Sequence, residues 1–431
     1  MEKINILLLS SYFPPDNHVG SWRWERLAAH FPEDRFNLFV VTGDNGLDYS
    51  QFHDDSGSVI VKRVSNIFRL SFRARYKERN MRKGVNQLGP SVRNPSSKFY
   101  ARLARVRRWI SLVLDFPDFS FRGSALLVSA SEDIIKSRKI DLIIASHPYL
   151  VTLRSASTLS GRHGIPWIAD MRDGITSNLF SPYLDAPFLN YLLGLVEKHV
   201  LRSAKHVVVI NDQLAKTIKC QDRKKVIISN AFVDVKTACD ARTKGDKLVL
   251  VYTGGVKPSH RFRPFLEGLK IYNDTASKQL VFNYYGRDFN MLLGYARHIG
   301  LDESILHDHG FVSSSVAQEQ ALNSDMVVMF GWNGPYGETY QSGKIFDYLA
   351  TSRPILTVDE SDSCLGSQVL NCRVGLVTCS PKGIAEILVK CALSSNFLDD
   401  VTADVNHEQI DRYSINTTGQ KYIELIESVL F

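Results

Sequence analysis

Residues 334–358 read GPYGETYQSGKIFDYLATSRPILTV, and Lys344 and Asp347 are the side chains there whose chemistry is easiest to place. The preceding loop is rich in glycine and small polar residues. A helix is predicted to start near Ser342 and Gly343, which sets Lys344 and Asp347 three apart on one face. An ammonium group beside the first helical turn suits phosphate oxygens, and a carboxylate within that turn accepts hydrogen bonds from the two hydroxyls of a ribose. A solvent-facing Lys–Asp pair is the plainer alternative, since such pairs are common on helix faces. A second segment with chemical potential opens the chain, MEKINILLLSSYFPPDNHVGSWRWERLAAHF. Residues 4–9 form a short apolar strand, Pro14 and Pro15 end it, and Trp24, Leu27, Ala28 and Phe31 recur at helical spacing after Gly20. Strand, glycine loop and helix present backbone N–H groups to a phosphate or sugar. The same layout also serves as the structural turn of an ordinary first βα unit.

Two series of continuous apolar runs must position these loops. INILLLS, NLFVVTG, SVIVKRV, DLIIASH, PWIADM, HVVVIND and KVIISNA fill the first half, and KLVLVYTG, QLVFNYYG, DMVVMFG and PILTV the second. Unbroken apolar strands with crossover-length connections indicate parallel sheets covered on both faces. The expected fold is therefore α/β, with two doubly wound, Rossmann-like domains. The break is placed in the polar stretch 233–247, giving an N-terminal domain over 1–235, a C-terminal domain over 245–412 and a last helix over 413–431 packing back towards the first domain. In such sheets ligands sit at the carboxyl ends of the strands. That rule selects residues 10–21, 146–148 and 170–173 in the first half, and 253–261, 286–287 and 331–347 in the second. Two such rims facing each other would form a cleft.

A length of 431 residues suits two cores, and 44% hydrophobic and 23% charged residues are ordinary for a soluble globular protein. No apolar run approaches the roughly 20 residues of a membrane span, and the sequence enters its first strand without a charged leader, so a cytoplasmic-type protein is expected. The cysteines at 220, 239, 364, 372, 379 and 391 form no C-x-x-C pair and read as reduced thiols. The net charge of +7 is unevenly spread. Residues 62–108 hold 15 Lys/Arg against the single acid Glu78, a local +14 that leaves −7 for the remainder.

SGKIFDYLATSRPIL resembles the donor-binding helix of glycosyltransferases of the GT-B fold, family 4, which often carries a Lys-x-x-Glu-Tyr-Leu-Ala pattern. SSYFPPDNHVGSWRWERLA is similar to that family's loop after the first strand, IPWIADMRD to its Asp-x-Arg-Asp segment, VIISNAFVD to its Asn-Gly-x-Asp linker entry, and VYTGGVKPSHRFRPFLEGL to the first strand-loop-helix of its donor domain. These likenesses keep their order over nearly the whole chain; a basic insert at about 62–115 finds no counterpart. The resemblance implies two domains across a cleft and transfer of a sugar from a nucleotide-sugar donor, with retention of anomeric configuration, in bacterial-type surface polysaccharide or glycolipid assembly.

Carried over residue by residue, the resemblance puts Asp347 on the ribose and Gly20 where the N-terminal loop approaches the donor diphosphate. The family's other acid falls on Thr339, with Glu338 beside it as the candidate. Its phosphate-binding Arg and Lys fall on Gly255 and His260, so Lys257, Arg261 or Lys344 must supply the positive charge. Gly254, Gly255, Ser342 and Gly343 complete the donor loops. His147 lies near a sugar-contacting histidine of the family, a satisfied structural histidine being the alternative. Asp173 is the second catalytic candidate, with a buried ion pair among Asp170, Arg172 and Asp173 as the alternative. No nucleophile is assigned. The sequence has no Asp-x-Asp pair, and DESD at 359–362 reads as a polar loop, so no metal or cofactor is expected and cations stabilise the leaving diphosphate.

The basic insert mixes cations with large apolar residues. SSKFYARLARVRRWISLVL places Phe99, Leu103, Val106 and Ile110 on one side of a helix and Arg102, Arg105 and Arg108 largely on the other; with Arg107 and Trp109 this is the pattern of an interfacial helix. The expected partners are a nucleotide sugar, a glycan or lipid-linked acceptor and an anionic membrane surface on the cytoplasmic side, with a solvated loop as the alternative. Two rival functions stay open: a nucleotide-sugar epimerase on the same fold, and a nucleic-acid-binding protein using the basic segment, which lacks a recognisable module. A dinucleotide oxidoreductase is disfavoured because no G-x-G-x-x-G follows the first strand.

Overall fold

The computed structural model describes residues 2–16, 19–44, 55–56, 58–65, 106, 109–110, 112–114, 116–117, 120–178, 181, 183–233, 246–276, 278–334, 337, 341–394 and 396–431. They form two compact units, Met1–Ser229 with Gly419–Phe431, and Asn230–Thr418. Among the described residues no helix is long and apolar enough to cross a membrane.

The first unit is built on a sheet of eight strands: β1 Ile4–Ser10, β2 Phe36–Gly43, β3 Asp55–Ser56, β4 Val59–Val64, β5 Leu142–Ser146, β6 Trp167–Met171, β7 His206–Val209 and β8 Lys225–Ile227. Their order is β3-β4-β2-β1-β5-β6-β7-β8. All neighbours are parallel except the short β3, which runs antiparallel on β4 at the edge. Leu7 and Leu9 of β1 enter one core cluster with Ile143, Ala145 and Trp167, while Ile6 and Leu8, pointing to the opposite face, are equally inaccessible. Burial on both faces explains why these strands lack an apolar–polar alternation. The pairing register sets Ser10 opposite Ser146 and Ser146 opposite Asp170. A buried polar row therefore crosses the carboxyl end of the sheet. Helix Ile415–Leu430 returns to this unit from Gly419 onward; its Tyr422 packs edge-on to Trp24 at 5.4 Å, and a Cβ on Gly419 would strike the His30 ring.

The second unit carries β9 Lys247–Thr253, β10 Gln279–Tyr285, β11 Leu306–Asp308, β12 Met326–Phe330, β13 Ile355–Val358 and β14 Gly375–Val377, all parallel, in the order β11-β10-β9-β12-β13-β14. The doubly wound α/β architecture expected from the apolar runs is thus present in both halves. Strands β3, β11 and β14 were not expected. Each spans two or three residues at or next to a sheet edge, where a continuous apolar run is not required.

Candidate functional site

At the sheet end of the first unit the charges are bound to the protein itself. Asp170 of β6 is fully buried and accepts from Arg23 Nε at 3.1 Å, Arg23 Nη2 at 2.9 Å and Trp24 Nε1 at 3.1 Å. Arg23 also donates to the carbonyls of Ser229 at 2.7 Å and Ile228 at 3.1 Å. Helix Val19–His30 is thereby fastened to the middle of the sheet by a fully hydrogen-bonded ion pair. Asp170 belongs to this clamp, whereas Arg172, two residues on, leaves the strand and donates to the carbonyl of Gly20. Gly20 is helical and buried in the first turn of that helix. Burial lowers the Arg172 pKa, and the charges of Asp173 and Asp170 act to raise it. Asp173 is half-buried.

His147 follows β5 and is 2% exposed; its backbone N–H donates to the Asp170 carbonyl at 2.9 Å. Burial, reinforced by the Arg172 charge, pushes its pKa down to about 3, so the imidazole is neutral at pH 7. Its Nδ1 has no hydrogen-bond partner among the described residues. A neutral imidazole beside a guanidinium can exchange hydrogen bonds with a hydroxyl without adding charge. The structure thus brings His147, Arg172, Asp173 and Gly20 to one end of the first sheet.

In the second unit the loops after β9, β10 and β12 converge with the helix Lys344–Leu349. Gly254 follows β9 at φ 114°, a conformation that favours glycine, and a Cβ there would lie 2.2 Å from Lys344 Cε. Its N–H donates to the Tyr285 carbonyl at 2.6 Å. Lys344 Nζ stands 5.0 Å from the centroid of the Tyr252 ring, which stacks on Phe330 at 4.6 Å and Tyr284 at 5.7 Å. Lys257 Nζ lies 5.9 Å from the Trp332 ring. Between these lysines His260 is 4% exposed, packs edge-on to Trp332 at 5.2 Å and accepts the Lys257 N–H at Nδ1, 3.3 Å away. Burial first, then the charges of Lys344 and Lys257, push its pKa down to about 3. Two ammonium groups and a neutral imidazole therefore gather where the sheet presents its loops, an arrangement suited to an anion.

The remaining expected residues are placed as follows. Arg261 is ion-paired to Asp359 (Nε to Oδ1, 3.2 Å) and Glu360 (Nη1 to Oε1, 2.8 Å). Its charge is shared by two carboxylates of the same unit, including the first two residues of the segment read as a polar loop. Gly255 lies beside the Asp288 carboxylate, 3.9 Å from where its Cβ would be. Ser342 is buried, Gly343 caps the helix start, and Asp347 lies half-buried in its first turn. Glu338, Arg102, Arg105, Arg107 and Arg108 lie outside the described residues. Trp109 is 44% exposed. Sequence reasoning missed Arg23, Trp332 and the tyrosine stack under Lys344. Their partners are distant in sequence, and no local motif marks them.

No protein-family profile matches the sequence, and no curated protein matches it. Solved structures do. HepE from Anabaena in complex with UDP and glucose is 13% identical, with 99% of this chain and 100% of that chain covered at a TM-score of 0.63. Sucrose-phosphate synthase from Thermosynechococcus elongatus is also 13% identical, over 99% of both chains, at 0.64. A putative UDP-N-acetylglucosamine 2-epimerase from Listeria monocytogenes is 10% identical, over 99% of this chain and 96% of its own, at 0.56. At such identities the likeness establishes the fold: two parallel-sheet α/β domains of the GT-B type.

Proposed function

We propose that this protein is a glycosyltransferase that moves a sugar from a nucleotide-sugar donor to a hydroxyl of a glycan or lipid-linked acceptor, in surface polysaccharide or glycolipid assembly on the cytoplasmic side of a membrane. The observation that carries the reading is the convergence of Lys344 and Lys257 on the glycine-built loops of the second unit, with His260 held neutral between them. In the reaction the bond between the sugar's anomeric carbon and the diphosphate oxygen breaks, the bond to the acceptor oxygen forms, and the acceptor proton leaves with the departing diphosphate or to water. The lysines meet the charge that grows on the leaving group, which is electrostatic preorganisation without a metal ion. Asp347 accepts from the ribose hydroxyls. His147 and Asp173 hydrogen-bond sugar or acceptor hydroxyls, and the reaction retains anomeric configuration, as in the family the sequence resembles. The complexes of HepE with UDP and glucose support a nucleotide sugar as the donor class.

The Listeria neighbour favours a second reading, epimerisation of a nucleotide sugar. A panel of nucleotide sugars scored by thermal stabilisation selects the donor, because a ligand bound only to the folded state raises apparent stability. Nucleotide release is then followed with and without candidate acceptors. Release that depends on an acceptor is expected; sugar interconversion without one would replace the transferase reading by the epimerase.

A further inference from the structure

Helix Pro187–Leu201 is apolar on more than its core side. Leu189, Leu193, Val200 and Leu201 are buried, as is its only acid, Glu197. Yet Phe188 is 69%, Tyr191 66% and Leu195 49% exposed. At 3.6 residues per turn these three share one side with Lys198, His199 and Arg202, all exposed as well. The outer face thus runs from a three-residue apolar stripe into a basic end, and the exposed Lys205 extends that end. Ordinary surface helices place polar residues opposite the core, so large aromatic and aliphatic side chains there mark a surface that meets something apolar.

A second stripe of the same kind lies in the same unit. The described residues of 106–114 are helical; Val106, Trp109, Ile110, Val113 and Leu114 are exposed, while Leu112 is buried in the core cluster that holds Leu189 and Leu193. Phe116 meets Tyr183 edge-on at 5.6 Å, which ties this stretch to the approach of helix Pro187–Leu201.

We propose that the exposed face of helix Pro187–Leu201 docks the protein on an anionic lipid bilayer, with Phe188, Tyr191 and Leu195 entering the headgroup boundary and Lys198, Arg202 and Lys205 meeting lipid phosphates. Charge selects this occupant. Within the helix and its basic end the face offers cations and no acid. A second copy pairing through this same face would bring the same cations and no helix acid to answer them. Tyr and Trp side chains with an apolar body and a polar tip suit the interface of a bilayer. The inference rests on no property of the donor site, and its test uses neither donor nor acceptor, so its failure leaves the transferase reading standing.

The intact protein, Phe188→Ser/Tyr191→Ser/Leu195→Ser and Lys198→Ser/Arg202→Ser are sedimented with phosphatidylcholine vesicles and with vesicles containing phosphatidylglycerol, at low and high salt. Circular dichroism and melting temperature check that the variants fold, and light scattering reports their oligomeric state. The intact protein is expected to prefer anionic vesicles and to loosen in salt. The apolar triple variant should lose about tenfold in partitioning at either salt concentration, and the charge variant chiefly the binding that salt removes. Equal partitioning of the triple variant and the intact protein would overturn the proposal. So would an intact protein that fails to bind vesicles and forms a dimer which the triple variant abolishes, since the face would then join two copies.

Discussion

The two sheet ends use charge in opposite ways. In the first unit Asp170 and Arg23 cancel each other inside the protein, and Arg172 is tied to the Gly20 carbonyl. In the second, Lys344 and Lys257 are held over aromatic rings around an imidazole that their charges help to keep neutral. A cancelled pair fixes geometry and leaves little field, whereas two ammonium groups brought together over aromatic faces suit an anion. The same strand-end position thus carries a closed charge clamp in one half and a gathering of cations in the other.

Breaking the clamp should give the largest effect. Asp170→Ala strands the Arg23 guanidinium in a buried site and should lower unfolding stability by about 3–5 kcal/mol. Nucleotide affinity of the protein that remains folded should not change, because the clamp is not in the second unit. Urea unfolding monitored beside nucleotide titration checks both. A stable variant with weakened nucleotide binding would reverse the roles assigned to the two sheet ends.

The next effect belongs to another group of the first unit. Glu197 is fully buried, accepts from the Lys219 N–H at 3.2 Å and from Thr176 Oγ1 at 3.4 Å, and burial raises its pKa from 4.5 to about 7. Between these values the folded state keeps a proton that the unfolded state has released, so this contribution to stability is present below pH 4.5 and is lost as pH rises through 7. At about 1.4 kcal/mol per unit the loss approaches ~3 kcal/mol. His147 and His260 act oppositely: lowered from 6.5 to about 3, they add stability as pH rises between those values. Glu197→Gln should therefore be more stable than the native protein at pH 8, little changed at pH 4, and should expose the rising histidine slope between. Parallel stability curves for the two proteins would show that the carboxyl is ionised in both states.

Much of this organisation was legible and some was not. The long strands were readable because burial on both faces demands unbroken apolar runs, as in residues 4–9. The three-residue strands LHD and GLV carry no such run. Asp170, Arg172 and Asp173 form one motif in the sequence. Only the end of β6 at Met171 separates the buried Asp170 from the residues beyond it. The partner of Asp170 lies 147 residues away, so no local reading could supply it. Lys344 and Asp347 were legible as a pair from helical spacing, but the ring beneath Lys344 comes from β9.

A third test addresses the second sheet end directly. Lys344→Ala and Lys257→Ala should each weaken nucleoside-diphosphate binding by about 1–3 kcal/mol, the worth of a charge-assisted hydrogen bond, and Asp347→Ala should do the same through the ribose. Both lysine effects should shrink as salt is raised. Unchanged affinity by calorimetry in all three variants would remove the donor site from these loops and leave them a structural corner.

The smallest expected effect draws the sharpest line between the sheet ends, because it lies inside the candidate ligand site itself. Arg261 stands directly after His260 and was read from sequence as a source of phosphate-binding charge. The structure pairs it with Asp359 and Glu360. The hydrogen bond from Arg261 holds Glu360 below its ordinary pKa, and Asp359 is further held by Ser363 Oγ at 2.8 Å. A cation whose charge is answered by two carboxylates adds little field at a ligand, so Arg261→Met should change nucleotide affinity by less than about 0.5 kcal/mol, well below the lysine variants. It should still lower stability, since burial already raises the Asp359 pKa and removing the guanidinium raises it further. An affinity loss in Arg261→Met equal to that of Lys344→Ala would mean that the guanidinium leaves its carboxylates for the diphosphate. The loop after β9 would then be a switch between two anions, and the second sheet end would contain a clamp of its own.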